Sequence, residues 1–265
     1  MSEPSLTVFH QRTLANRALT LFAATRPAFL TASVLPVLVA GALAEASGAA
    51  FSHALLALAA LNIALIHCGA NVLNDYFDSR SGADALNEKR IFPFTGGSRF
   101  IQNNVLSERE TRSLGYALMG LGALMGLAMA WVTGPLLLVI GLTGGLVGYI
   151  YSAPPCLMCR GLGDVAVALC FGVLPVAGTT LILTGAITGG SVWLGAAIGC
   201  FVAAILWANS IPDIPSDRAA GKMTIPVRIG ATAAAWGLAL WFAAGFALLL
   251  AAPLPGIPAP GERLW

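Results

Sequence analysis

The sequence predicts an all-α fold, a multi-pass transmembrane helical bundle. Three observations predict it. The chain of 265 residues is 57% hydrophobic and only 10% charged, with a mean hydropathy of +0.81. Soluble domains usually carry about 25% charged residues, so this chain cannot cover itself with charge. About seven apolar stretches approach the roughly 20 residues that a helix needs to cross a hydrocarbon core. Finally, the basic residues alternate between the connections of those stretches. Long ten-residue segments of alternating polarity are absent, which argues against a transmembrane β-barrel.

The elements follow in order. Residues 1–21 are mixed and polar, with no apolar core and no small-residue cleavage site, so they are not a secretory signal but a cytoplasmic segment. Spans then lie near Ala24–Ala44, His53–Val72, Ser113–Val132, Pro135–Tyr151, Leu162–Thr184, Ser191–Ile211 and Ala231–Ala252, the fourth being the shortest. Residues 22–252 form one membrane domain, and 253–265 a short C-terminal tail.

Charge fixes the expected orientation. Arg12, Arg17 and Arg26 precede or open the first span. Arg80, Lys89, Arg90, Arg99, Arg109 and Arg112 lie between the second and third, and Arg160 between the fourth and fifth. Arg218, Lys222 and Arg228 lie between the sixth and seventh. The connections around Ser47, Gly134 and Gly189 carry none, so thirteen of the 14 basic residues share one side and only Arg263 remains. The positive-inside rule makes that side cytoplasmic. The expected location is a bacterial cytoplasmic membrane, with membrane lipid as a partner and no nucleic acid.

Five of the twelve acidic residues fall in two short windows on that side. The first holds Asn71, Asn74, Asp75 and Asp78, separated by three or four residues and therefore on one helix face. Asp84 follows Gly82, where the helix is expected to end, and can fold back toward the others. The second window holds Asn209, Asp213 and Asp217. Pro212 and Pro215 disfavour an unbroken helix there, so a kink or a short new helix is expected near Pro212. In both windows an apolar span runs into Asn and Asp, then into a basic loop with Gly. That weak internal symmetry suggests that the clusters face each other across one cavity. Acids are costly at membrane depth, and two facing carboxylate sets suit a diphosphate carried on Mg²⁺, with Lys222 and Arg228 taking residual negative charge. Asn-Asp runs also serve as helix caps.

Other residues carry less. Cys68, Cys170 and Cys200 read as small hydrophobes in spans. Cys156 and Cys159 form a C-x-x-C in a loop, without the second pair of a structural zinc site, and read as packing residues. Gly120, Gly122, Gly126, Gly141, Gly144, Gly145 and Gly148 are expected to permit close helix approach. His67, one turn before Asn71, reads as a hydrogen-bonded packing residue.

The motifs together resemble the UbiA superfamily of intramembrane prenyltransferases. Asn74-Asp75-Tyr76-Phe77-Asp78 with Gly82 and Asp84 resembles its first aspartate motif. Asp213 to Asp217, with Arg218, Gly221-Lys222, Thr224, Val227-Arg228 and Gly230, resembles its second. Tyr151-Ser152-Ala153-Pro154-Pro155 followed by Arg160-Gly161-Leu162-Gly163, and Arg26-Pro27, resemble two further signatures. Gly82-x-Asp84 and Thr95-Gly96-Gly97-Ser98-Arg99 with Ile101-Gln102 look most like the branch that prenylates 1,4-dihydroxy-2-naphthoate in menaquinone synthesis. The resemblance implies nine transmembrane helices around a central cavity open to the membrane, and Mg²⁺-dependent transfer of an isoprenyl chain from a polyprenyl diphosphate to an aromatic acceptor. It implies metal–diphosphate sites of Asn74, Asp75, Asp78 and Asp84, and of Asp213 and Asp217. Lys222 would sit on the diphosphate, and Arg26, Tyr149 and Tyr151 would line the reacting cavity. Three departures stand out: Pro215 inside the second motif, Cys156-Leu157-Met158-Cys159 where a basic residue is common, and seven spans where the family has nine. The last implies a short variant or a truncated sequence. Two alternatives remain: the same chemistry on 4-hydroxybenzoate, a porphyrin or a chlorophyll precursor, or an ion-coupled transporter.

Overall fold

The computed structural model describes residues 3–9, 13–49, 51–87 and 90–252. Arg12, Lys89, His10 and the 253–265 tail with Arg263 lie outside the described residues. Among the described residues the chain is helical and has no strand.

A capped amphipathic helix, α1 (Leu14–Ala24), precedes the first span. The chain then breaks at Arg26, which sits in the left-handed region at φ 56°, and re-forms as a 3₁₀ turn (Pro27–Leu30) running into α2 (Thr31–Ala46). The first span therefore starts at Pro27 rather than near Ala24. Ser52 caps α3 (His53–Ser81), which ends at Gly82 in the left-handed conformation, as expected. At 29 residues α3 is about 43 Å long, well beyond the roughly 30 Å hydrocarbon core. The sequence placed the span's end at Val72, but the helix runs on, and its overhanging turns carry Asn74, Asp75 and Asp78.

After a short α4 (Ala83–Leu86), a loop returns over the site. It is anchored by an ion pair from Arg90 to Glu3 (2.7 Å) and by Asn103 donating to the Pro4 carbonyl (2.7 Å). Phe100, Val105 and Leu106 pack on Ala24, with Phe9 and Leu21 against them. A Ser107–Glu110 capping box then starts α5 (Glu108–Thr133). Gly134 turns the chain straight into α6 (Pro135–Ile150), too short at 16 residues to count with the six longer apolar helices.

The fifth span is one helix with a flaw: α7 (Gly163–Ala168), a π-helical turn (Leu169–Val173) and α8 (Leu174–Thr184). A Thr188–Ser191 capping box starts α9 (Gly189–Ser210). Pro212 stops that helix, and α10 (Ile214–Ala219) begins anew, so the expected short helix is present. Pro215 is exposed in its first turn, where a missing N–H costs nothing, so this departure leaves the site intact. α11 (Ile225–Ile229) and α12 (Ala231–Ala251) follow. α3 packs along α5, α9 along α12 and the α7–α8 helix, and α2 along α8 and α3.

Which glycines let backbones meet differs from expectation. Nothing lies within 4 Å of an added Cβ at Gly120, Gly141, Gly145 or Gly148. Gly122 does meet Ile66. The closest crossing is elsewhere: a Cβ at Gly172 would lie 2.3 Å from the Gly195 carbonyl oxygen, and one at Gly199 2.4 Å from that of Ala168. There the π turn rests backbone-on-backbone on α9, and no side chain can yield.

A methyl at Gly199 must therefore push two backbones apart. Gly199→Ala is expected to destabilise the folded protein in detergent by about 1–3 kcal/mol, whereas Gly120→Ala leaves the melting temperature unchanged or raises it. Equal melting temperatures for both variants would remove the crossing from the account.

Candidate active site

The two acidic windows meet at one end of the bundle. Lys222 joins them: its Nζ donates to Asp78 Oδ2 at 3.1 Å and lies 3.6 Å from Asp217 Oδ1. All three are buried or nearly so. Asn74 donates to Asp78 (3.3 Å) and to Ser152 Oγ (2.8 Å), tying the end of α3 to the loop after α6. Asn87 donates to Asp213 Oδ1 at 2.6 Å, joining the α4 loop to the turn after α9.

Beneath this ring lies a cavity of about 230 Å³. Its mouth is polar, with Arg26, Asn71, Asn74, Asp78, Asp84, Asn209, Asp213, Asp217 and Lys222 all on the lining. Its inner walls are apolar, including Phe29, Val147, Val167, Phe171, Val202 and Leu206. The sequence-level expectation that the clusters face each other across one cavity is met by this geometry.

The electrostatics show a shortage of positive charge. The lining carries four carboxylates, on Asp78, Asp84, Asp213 and Asp217, against the cations of Arg26 and Lys222. Burial, then the neighbouring Asp78 and Asp75, push the Asp84 carboxyl up to about 7. Burial pushes Asp217 up to about 6 despite Lys222, and raises Asp213. Burial also opposes the charge on Lys222, but Asp78 and Asp217 outweigh it and hold the ammonium above its ordinary range. Carboxylates thus outnumber cations around the mouth.

Three expected site residues lie elsewhere. Asp75 is buried behind the lining, where it pairs with Arg26 and accepts from the Ser98 N–H (3.1 Å). Helix geometry explains this: Asn74 and Asp75 differ by about 100°, so one faces Ser152 and the cavity while the other faces the 3₁₀ turn. Tyr149 is 38% exposed, against Tyr116 and Phe77, on the α6 face opposite the lining residues Val147 and Tyr151. Arg228 is exposed; it donates to the carbonyls of Met223 (2.8 Å) and Arg160 (3.0 Å) and so ties two loops together. Tyr151 does line the cavity. His67 packs as expected, with Nδ1 2.9 Å from Ser33 Oγ, but also reaches the lining.

The return loop supplies what sequence spacing missed. Asn87, Thr95, Gly96 and Gly97 line the mouth. Gly97 has φ +75°, and a Cβ there would lie 2.3 Å from Asp84 Oδ2, so only glycine lets the loop close on that carboxylate. Gln102 donates to the same oxygen at 3.1 Å, and Arg99 to the Asp84 carbonyl. Cys156 and Cys159 are joined in a disulfide rather than serving only as packing residues. Between them Met158 reaches the cavity, and the Cys159 carbonyl accepts from Met223 N–H (3.1 Å).

Among the described residues no three His, Cys, Asp or Glu side chains form a ready-made metal cage. The donors at the mouth are nevertheless all hard oxygens. Mg²⁺ binds commonly through one or two carboxylates plus waters and substrate phosphates, so this donor set fits Mg²⁺ brought by a diphosphate.

Fold and site together define a helical integral membrane protein with an acid-rimmed, apolar-walled pocket. A family profile described as the UbiA prenyltransferase family matches residues 33–261. The chain is 33% identical over 217 residues to a 1,4-dihydroxy-2-naphthoate octaprenyltransferase of Mycobacterium tuberculosis, covering 77% of this chain and 68% of that one. It is 29% identical to the Bacillus subtilis protein of the same name, covering 89% and 74%. A UbiA homologue from Archaeoglobus fulgidus, solved with DMAPP and Mg²⁺, shares its fold at TM-score 0.68 and 21% identity over 86% of this chain and 76% of that one. The chain belongs to the UbiA prenyltransferase family, and it is a transferase.

Losing Arg26 would leave the buried Asp75 charge unpaired. Arg26→Gln is expected to cost about 3–5 kcal/mol of stability, and adding Asp75→Asn to recover most of it. A double variant as unstable as the sum of the singles would contradict the pairing.

Proposed function

We propose that this enzyme transfers an isoprenyl chain from its diphosphate to 1,4-dihydroxy-2-naphthoate in menaquinone biosynthesis, and that the reaction depends on Mg²⁺. The observation that carries the proposal is the Asp78–Lys222–Asp217 triad over an apolar-walled cavity. A diphosphate alone would be repelled by four carboxylates facing two cations. Mg²⁺ would supply the neutralisation that turns diphosphate into a leaving group. Asp78 and Asp217, with Asn74, Asp84, Asn209 and Asp213 around them, would hold the metal–diphosphate unit. Lys222 would shift from bridging two carboxylates to sharing the charge of the departing group. The bond between C1 and the diphosphate oxygen would break, its electron pair leaving with the diphosphate; a ring carbon of the acceptor would bond to C1 and then give up its proton, or CO₂ where it is the carboxylate-bearing carbon, so that the ring regains its aromaticity.

Tyr151 would present a π face to the developing allylic cation. Arg26 lines the same cavity. Arg26 also adopts a positive φ, a local strain of order 1–3 kcal/mol of the kind that collects at functional sites. The naphthoate acceptor is favoured by the names of the relatives in Mycobacterium and Bacillus.

An assay with labelled prenyl diphosphate and a panel of aromatic acceptors tests the proposal. Excess EDTA is expected to abolish transfer and Mg²⁺ to restore it, with the naphthoate as best acceptor. Asp78→Asn and Asp217→Asn should each remove most of the rate, by at least about 100-fold, and the double variant should be little worse, as for groups acting as one unit. Full activity in EDTA, or a preference for 4-hydroxybenzoate, would overturn the corresponding half.

The same reading puts the site end of the bundle in the cytoplasm of a bacterial cell, because nearly all basic residues gather there. Cysteines introduced at the exposed positions Ser47 and Glu108 distinguish the sides. A membrane-impermeant maleimide added to intact cells is expected to modify Ser47→Cys and spare Glu108→Cys. The opposite pattern would reverse the orientation.

A further inference from the structure

One covalent bond beside the site has no part in the proposed chemistry. Cys156 and Cys159 are joined across a separation of 3 residues, in the loop between α6 and α7. The other cysteines, Cys68, Cys170 and Cys200, are free and lie in the spans. The orientation proposed above puts the bridged loop in the cytoplasm. Disulfides are rare there, because glutathione and thioredoxin keep thiols reduced, and those that form are mostly transient and catalytic or redox-sensing. A permanent structural bridge does not suit that compartment; a reversible one does. Both cysteines are partly exposed, and the adjoining Pro154, Pro155 and Arg160 are exposed, so a small disulfide can reach the pair.

Backbone hydrogen bonds connect the bridge to the site. The N–H groups of Leu157 and Met158 donate to the carbonyls of Ile150 and Tyr151, at 3.0 and 3.1 Å, and fold the bridged turn back on the end of α6. Tyr151 and Met158 both line the cavity. On its other side the Cys159 carbonyl accepts from Met223 N–H at 3.1 Å. Met223 follows Lys222, whose ammonium spans Asp78 and Asp217. Cys156 has φ 57°, a left-handed conformation that residues with a Cβ rarely adopt. The bridge closes a ring that confines the turn to this shape, and two free thiols do not. Reduction therefore opens other conformations to the turn, and the Lys222 loop loses a fixed partner at the Cys159 carbonyl.

We propose that Cys156 and Cys159 form a reversible dithiol–disulfide site that sets how tightly the mouth holds a metal–diphosphate. As regulation of that site, the proposal rests on the prenyltransferase reading above. Oxidation is an exchange with a small disulfide of the glutathione type. One cysteine thiolate attacks a sulfur of that disulfide and expels one thiol; the second attacks the mixed disulfide and expels the other. Two cysteine thiols and one external disulfide become the Cys156–Cys159 bridge and two external thiols. The pair gives up two electrons and two protons, and the external disulfide takes up both. Reduction is the reverse. In the bridged state Lys222 is already placed through Met223, so less ordering is left for the ligand to impose.

The test equilibrates the purified protein in oxidising or reducing glutathione buffers and reads the state of Cys156 and Cys159 by alkylation and peptide mass. An unreactive prenyl S-thiolodiphosphate is then titrated in the presence of Mg²⁺. The oxidised protein is expected to bind it tighter than the reduced protein by about fivefold or more. Linkage requires that saturating analogue raise the ratio of squared glutathione to glutathione disulfide at half-oxidation by the same factor, a readout that needs no turnover. The double variant Cys156→Ser/Cys159→Ser is expected to keep the affinity of the reduced wild type in both buffers. In growing cells, quenched with acid and alkylated, the pair is expected as the dithiol, and as the bridge after exposure to the thiol oxidant diamide. Equal affinities of the oxidised and reduced wild type would overturn the switch and leave the transferase reading standing. So would a pair that stays bridged in growing cells or stays reduced under diamide. A wild type that binds the analogue in neither state would overturn the transferase reading, and the switch with it.

Discussion

One ammonium group holds the two halves of this site together. Lys222 reaches from the loop after α10 to Asp78 at the end of α3, with Asp217 of α10 beside it. A buried ion set of this kind is weak evidence for stability, since desolvation offsets most of the attraction. Its meaning lies in the imbalance. Acidic groups outnumber cations around the mouth, and burial raises Asp84, Asp213 and Asp217 above their ordinary values. On the proposed reading, such a mouth would gain by taking up divalent cation and, with it, a polyanion. Lys222 holds the two carboxylate sets at one opening.

The rest of the bundle serves to hold those groups at that spot. α3 is longer than the membrane core is thick, so its last turns bring Asn74 and Asp78 out to the mouth. Proline stops α9 at the same level, and α10 turns Asp217 inward. The loop before α5 closes from a third side, with Gly97 against Asp84 and Ser98 on Asp75. Arg26, strained at the entry to α2, anchors Asp75 from the fourth side. Apolar helices below supply a dry wall, so charge at the rim and apolar carbon beneath are separated within one cavity.

Much of this was legible in the sequence because it depends on local rules. Span positions follow from run length, the end of α3 from Gly82, and the break after α9 from Pro212. The shared face of Asn71, Asn74 and Asp78 follows from helical spacing. What stayed hidden depends on tertiary rotation and loop closure. Asp75 lies within the same arc of α3 but at its far edge, and only the placement of Arg26 shows that this edge faces away from the cavity. Tyr149 and Tyr151 are both near the right depth, yet two residues on a helix put them on opposite sides. Asn87 and Thr95 belong to a loop whose path is set by contacts with Glu3, Pro4 and Ala24, far off in sequence. The glycines that matter for close packing, Gly172 and Gly199, look no different in sequence from those that face open space.

The central claim is that the mouth binds metal and diphosphate only together. Calorimetric titration of the purified protein with an unreactive prenyl thiolodiphosphate, with and without Mg²⁺, tests it most directly. The account predicts that each ligand strengthens binding of the other by the same factor, as linkage requires, and that the analogue binds poorly in EDTA. Equally tight binding of the analogue with and without Mg²⁺ would contradict it.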